Sequence, residues 1–239
     1  GEPQAEAKTY LLHEAGFTWE QNRVLNPYSF GLNLEQGEGF SKLSGQVKYF
    51  RHYEALPKGI SFRFFAGTFL NSPSDNSQVD YRFRLGGYRG IQDYGFGTTF
   101  LGRTEPAGTF LGNQITEQDG GFKYPTSVGQ TWDWLMAVNL KADFPSLPMK
   151  AYFDAGTYAG ASSAFNGSRS LSWVLGVQFV PIKNFLEINF PITTSSDLKQ
   201  VADFAFDNYF QRVTFSLHLD KANPFRYLRD LQMVIQNQF

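Results

Sequence analysis

Two charged residues in glycine-flanked settings pose the chemical question. Arg89 stands in Gly86-Gly87-Tyr88-Arg89-Gly90, and Asp154 in Phe153-Asp154-Ala155-Gly156. A guanidinium on a loop tip and a carboxylate on a strand can form a bidentate, charge-assisted pair. In a wall of strands closed into a barrel, that pair would hold a long loop inside the lumen. Catalytic spacings are missing by contrast. His13, His52 and His218 are scattered. No H-E-x-x-H helix brings two of them to one metal, and no G-x-S-x-G elbow presents a serine. The chain is therefore read as a non-enzyme, with no catalytic residue, metal site or cofactor expected. An Asp/His/Ser site built from scattered barrel residues is the remaining catalytic alternative.

The elements that would position this pair must suit the composition. The chain has 239 residues, a formal net charge of -1 and no cysteine. That length permits one larger β-barrel or sandwich, or two small domains. Near-neutral charge gives no support to nucleic-acid binding, which wants a basic face. Without cysteine there are no disulfide staples and no thiolate metal ligands. Aromatic residues make up 17% of the chain, 25 of them Phe and 12 Tyr, while the mean hydropathy is -0.32. A membrane barrel combines these features through an apolar outer band and a polar interior. A soluble β-sandwich with a rich core is the alternative. No run approaches the ~18 apolar residues of a transmembrane helix. The opening Gly1-Glu2-Pro3-Gln4 shows no signal peptide, so an outer-membrane location would make this a processed chain or a fragment of a longer one.

Period-2 alternation predicts about ten strands: 9–20, 28–35, 42–53, 60–70, 79–85, 132–144, 150–158, 171–179, 186–192 and 209–219. In 79–85, Val79, Tyr81, Phe83 and Leu85 oppose Asp80, Arg82 and Arg84. In 132–144, Trp132, Trp134, Met136, Val138 and Leu140 oppose Asp133, Asn139, Lys141 and Asp143. A row of charges suits a solvated sheet face or a water-filled lumen, so Asp80, Arg82, Arg84, Asp133, Lys141 and Asp143 are expected to line the lumen. Trp132, Trp134 and Trp173 are expected at the membrane interface. Residues 86–130 lack sustained alternation, and so long a segment in a compact chain is usually functional. It is read as an ordered lumen loop, with Tyr94, Phe96 and Phe100 packing it against the wall. Residues 195–207 read as a loop. Domain organisation is then a polar tail over 1–8, a barrel over 9–222, and an amphipathic helix over 223–239. The alternative for that last stretch is a final strand over 231–239.

In this order, the features resemble the C-terminal barrel of the BamA-like outer-membrane insertase and two-partner-secretion superfamily, the bacterial surface antigen family. Tyr88-Arg89-Gly90 is similar to the family's Arg-Gly motif at the tip of a lumen-folded loop. Phe153-Asp154-Ala155-Gly156 is similar to its F-x-D-x-G motif on a later inward-facing strand, whose aspartate pairs with that arginine. The stretch from Asn139 to Pro145 and the terminal strand from Gln211 to Leu219 resemble family features as well. Ile91 departs from the usual aromatic, and ten strands depart from the family's sixteen. The segment around Asp93-Tyr94 and 100–105 is similar to barrels of Bacteroidota surface proteins, some fused to metallopeptidase domains. The resemblance implies an all-β, antiparallel transmembrane barrel in a Gram-negative outer membrane, alone or as part of a larger barrel. It implies contact with lipopolysaccharide or phospholipid and with other outer-membrane or periplasmic assembly proteins, and insertion or translocation of polypeptide. A barrel that only anchors a surface or periplasmic domain, such as a metallopeptidase, or serves as a subunit of an outer-membrane complex, is the alternative. A small porin-like or adhesin barrel is a third.

Overall fold

The computed structural model describes residues 11–54, 58–72, 79–164, 171–183 and 185–218. Nine strands form one antiparallel sheet in chain order. They are β1 (His13–Gln21), β2 (Tyr28–Gly37), β3 (Phe40–His52), β4 (Gly59–Asn71), β5 (Trp134–Asp143), β6 (Met149–Tyr158), β7 (Ser172–Ile182), β8 (Leu186–Thr194) and β9 (Thr214–Leu217). Two helices interrupt the connections, α1 (Ala161–Ala164) and α2 (Ser196–Ala205). Among the described residues no helix is long and apolar enough to cross a membrane. The predicted tail (1–8) and the predicted C-terminal helix or strand (223–239) lie outside the described residues.

The alternation in the sequence sets which face each side chain takes, since successive residues of a strand point to opposite faces. Register carries the pattern across the sheet. Lys48 stands opposite Arg63, Arg63 opposite Asn139, Asn139 opposite Asp154 and Asp154 opposite Val174. These residues share the face that 79–133 and α2 cover, here called the inner face. Arg63, Asn139, Asp154, Gln178 and Asn189 are buried there. On the other face Phe17, Trp19, Leu32, Met136, Leu175 and Ile192 stand exposed, Ile192 at 68%. Most of the larger apolar side chains of the strands thus face out, and most of the strands' polar groups face in.

Connections differ between the two ends of the sheet. At one end they are short: 22–27, 53–58, 144–148 and 183–185. At the other they include 72–133, 159–171 and 195–213, with the tight turn 38–39 between β2 and β3. The longest folds back over the inner face and supplies much of its core. Phe83, Leu85, Phe122, Tyr124 and Val128 pack there against Phe65, Leu135, Ala137, Tyr152 and Val174 of the strands.

Three expectations are corrected. The stretch 79–85 is not a wall strand. β4 pairs directly with β5, so the sheet has no place for it. Its alternation serves an inner strip instead, where Phe83 exchanges hydrogen bonds with Thr131 and Leu85 N–H donates to Gly129 O at 3.1 Å. Tyr81, Phe83 and Leu85 are consequently buried inside. The stretch 195–207 contains α2, which opens at Ser195 with Asp197 in its first turn, a favourable place for a carboxylate. Leu198 and Ala202 sit in the core with Val201 packed against it. The last predicted strand, 209–219, begins as a tight 3-10 turn over Tyr209–Arg212, with the Asn208 side chain accepting from Gln211 N–H. Among its described residues, Thr214–Leu217 join the sheet.

Candidate functional site: a buried lock between wall and loop

Asp154 is fully buried on β6, and its carboxylate takes three hydrogen bonds. Lys123 of the long segment supplies two, its N–H to Oδ2 at 2.9 Å and its Nζ to Oδ1 at 3.0 Å. Asn139 of β5 supplies the third, Nδ2 to Oδ1 at 3.0 Å. Lys123 is 1% exposed. A buried charge needs such a partner, because desolvation penalises each ion taken alone.

The lock continues in both directions. Asn139 Nδ2 also donates to Gly120 O at 2.9 Å, and Arg63 NH1 donates to Asn139 Oδ1 at 2.8 Å. Lys123 Nζ lies 3.5 Å from Glu117 Oε1, which also pairs with Lys141. On the far side Thr214 Oγ1 donates to Lys123 O at 3.1 Å and accepts from Asn189 Nδ2 at 3.1 Å. One polar network therefore joins β4, β5, β6, β8 and β9 through residues 117–123.

The loop's own charges follow from this setting. Burial works against the charge on Glu117, but Lys141 and Lys123 hold its carboxyl well below the usual carboxylate range. Asp119 moves the other way: burial pushes it up, with Lys42 and the Tyr88 hydroxyl offsetting only part. Burial also raises the Asp80 carboxyl, yet Arg82 and Arg84 outweigh it and bring the group down to about 2. Beside the lock, a cavity of about 460 Å³ lies between Glu14, Asn33 and Gln46 of the wall and Tyr88, Gln118 and Asp119 of the loop.

Gly156, two residues after Asp154, faces the same way. A Cβ there would lie 2.5 Å from Leu85 Cδ2 and 2.8 Å from Met136 O. The bare backbone lets Leu85 of the loop press into the wall, which is the use of glycine at a close approach. Phe153 points outward, its ring centroid 6.4 Å from that of Trp173.

The expected Arg89–Asp154 pair is not formed. Both oxygens of Asp154 are taken by Lys123 and Asn139, and no described carboxylate pairs with Arg89. The Arg89 guanidinium is lowered by burial and by the neighbouring Arg84 charge. Gly90 instead seats another arginine: a Cβ at position 90 would lie 2.3 Å from Arg103 Cα. Arg103 NH1 donates to Gly90 O at 3.2 Å and its NH2 to Asp93 Oδ2 at 3.1 Å. Tyr88 is buried, with burial and the Asp119 charge raising its phenol.

The remaining candidates separate. Asp80 pairs with Arg82 and Arg84, but on the inner strip and not on a wall strand. Lys141 and Asp143 lie on the inner side of β5, Lys141 with Glu117 and Asp143 accepting from Gly59 N–H at 3.0 Å. Asp133 is exposed just before β5. Trp134 stands on the outer face and Trp173 half-buried on the same face. Trp132 does not: its ring meets Phe69 edge-on at 5.6 Å and carries the Arg82 guanidinium at 5.9 Å. Tyr94 reaches Glu35 and Lys42 of the wall, and Phe100 is buried, whereas Phe96 is 75% exposed.

Lys123 escaped the sequence reading. Its signal is a lone cation between Phe122 and Tyr124, two core aromatics, a setting that calls for a buried carboxylate. No family model, curated protein or solved structure matches the chain.

Proposed function

We propose that this sheet is the wall of a BamA-like outer-membrane β-barrel that takes part in inserting or translocating polypeptides. The observation that carries the reading is the sorting of the two faces. An outer face of Phe, Trp, Leu, Met and Ile beside an inner face holding Arg63, Asn139, Asp154, Gln178 and Asn189 suits lipid outside and a polar lumen inside. A water-soluble sheet would leave that outer band as an exposed apolar patch of a size soluble monomers rarely carry. Short connections at one end and long ones at the other fit the same reading. The insertion step draws support from β1, whose edge away from β2 has no strand partner among the described residues, an edge ready to template another strand. The filled inner face favours the rival reading, a barrel that anchors a neighbouring domain and moves nothing.

The wall is tested by Leu32→Arg, an outward change at the middle of β2. In lipid an arginine there costs about 2–4 kcal/mol; on a soluble sheet it costs almost nothing. Denaturant titration of the full chain refolded into phosphatidylcholine vesicles, followed by its heat-dependent gel mobility, reads the difference. A neutral Leu32→Arg variant that stays dispersed without detergent removes the membrane reading. Insertion itself is tested by the rate at which an unfolded outer-membrane barrel folds into vesicles containing this protein; a rate equal to that of empty vesicles leaves only the anchor.

A further inference from the structure

The lock holds an amine against a carboxyl inside a shell of aromatic rings. Lys123 Nζ lies 3.0 Å from Asp154 Oδ1, one bond away from the carboxyl carbon. Both oxygens of that carboxyl are fixed. The Lys123 backbone N–H donates to Oδ2 at 2.9 Å, and Asn139 Nδ2 donates to Oδ1 at 3.0 Å. Asn139 is held in turn by Gly120 O and by Arg63 NH1. The Tyr152 ring lies 5.3 Å from Nζ, and Phe122, Tyr124 and Tyr152 are all buried.

A third group completes the set. Glu117 Oε1 lies 3.5 Å from Lys123 Nζ and pairs on its other side with Lys141. Lys141 is the larger influence that keeps the Glu117 carboxyl well below the usual carboxylate range. The three side chains are the parts of an amide condensation. Lys123 is the nucleophile, Asp154 the electrophile with a donor on each oxygen, and Glu117 a base within reach of the attacking nitrogen.

We propose that Lys123 and Asp154 condense into an isopeptide bond, with Glu117 as the base, and so tie the long segment covalently to β6. The step balances without a co-reactant. A proton first crosses from Nζ to Oδ1, giving amine and carboxylic acid. The Nζ lone pair then attacks Cγ, and the electron pair of the carbonyl moves onto Oδ2, where the Lys123 backbone N–H meets the charge. Glu117 takes one proton from the attacking nitrogen and hands it to Oδ1. The Cγ–Oδ1 bond breaks, Oδ1 leaves as water, and Glu117 is a carboxylate again.

Two physical factors drive this. The first proton transfer turns two buried ions into neutral groups and so removes a desolvation penalty. Reactants held in contact behave as if at about 10⁵–10⁸ M, above the concentration of water itself. Glu117 also borders the cavity of about 460 Å³, a way out for the released water. The ion pair is then the unreacted state of the lock. The inference is independent of the membrane reading, since it needs only the packing of residues 117–123 on β5 and β6.

The test is the mass of the full chain, denatured after folding in detergent micelles, against the same chain never folded. The folded chain should be lighter by one water. Trypsin should then leave Lys123 uncut and release one branched peptide joining residues 104–141 to 151–169. Glu117→Gln keeps the shape of the side chain and should slow the mass change by about 10²–10⁴-fold, as loss of a general base does. Lys123→Arg keeps a cation beside Asp154 but cannot condense, and should retain its full mass. A wild-type chain that keeps its full mass while residues 86–130 resist protease overturns the bond. A water lost elsewhere, as in a succinimide at Asp119-Gly120, overturns it too, because Lys123 stays cleavable and the loss persists in Lys123→Arg. Glu117→Gln reacting at the wild-type rate overturns the role of the base. Mass is read on the denatured chain, so a protein that stays dispersed without detergent loses the membrane reading and is tested for the bond in the same way.

Discussion

Removing either half of the lock should loosen the long segment, and unequally. At 3.0 Å, opposite unit charges attract by about 5 kcal/mol at an effective dielectric near 20. That gross figure is reduced by the desolvation both ions have undergone. Breaking a buried pair by deleting one partner costs about 3–5 kcal/mol in general, because the survivor is left buried and uncompensated. In Asp154→Ala the survivor is Lys123, which keeps Glu117 at 3.5 Å. In Lys123→Ala the survivor is a fully buried Asp154 retaining only the Asn139 amide and a backbone N–H. The lysine deletion should therefore cost more, toward the upper end of that range, and the aspartate deletion toward the lower. The pair Lys123→Met with Asp154→Leu removes both charges and should be milder than the sum of the singles.

The assay is limited proteolysis of the full chain, scoring cleavage within residues 86–130, together with denaturant midpoints. Arg89→Ala is the control. Its half-buried guanidinium contacts no described carboxylate, so the change leaves no buried carboxylate uncompensated and should cost less than either deletion in the lock. The reasoning fails if Arg89→Ala exposes the segment as much as Asp154→Ala does. It fails equally if Lys123→Ala leaves cleavage unchanged.

Two further outcomes follow from the same geometry. Gly156→Ala drives a methyl to 2.5 Å from Leu85 Cδ2 and 2.8 Å from Met136 O, so it should destabilise by about 1–3 kcal/mol as overpacking does; Leu85→Ala in the same chain should restore only part, because the carbonyl remains, and denaturant midpoints of the three variants check this. For acid, the sign is fixed by Glu117, whose folded carboxyl lies below its ordinary value of 4.5. Its stabilisation is complete above that value and is lost as pH falls toward the folded value, so the wild-type advantage over Glu117→Gln in resistance to acid-stable protease should shrink below about pH 4.5.

The strands were legible wherever one period-2 pattern met one ladder. β5 and β6 lie within two residues of their predicted bounds because Trp134, Met136 and Val138, like Phe153 and Ala155, have a single outward face to occupy. The stretch 79–85 shows what alternation leaves open. Tyr81, Phe83 and Leu85 alternate as well as any wall strand, but period 2 specifies a pleated strip and not the sheet it joins. The choice went to Thr131 and Gly129 because β4 and β5 already paired along their lengths. α2 carried signals that went unread: Ser195, Asp197, and then Leu198, Val201 and Ala202 at helical spacing, inside a run rich enough in Ser, Thr and Asp to read as loop.

The lock divides in the same way. Its wall half follows from strand geometry alone: Asp154 and Gly156, two apart, must share a face, and one brings charge while the other makes room for Leu85. Its loop half depends on where a long irregular segment lays its backbone, and the one local signal that favours Lys123 over Arg89, its two flanking aromatics, tells only once those rings are buried. Burial makes the distinction. Lys123 enters between Phe122 and Tyr124, which the core holds against the wall, and its backbone N–H binds Asp154 along with its ammonium. Arg89 sits at the turn over Gly90–Gln92, beside Arg84, where reaching Asp154 would mean displacing a cation already seated at two points. A carboxylate on a wall strand therefore fixes that a loop is held there, and the packing of the loop decides which residue holds it.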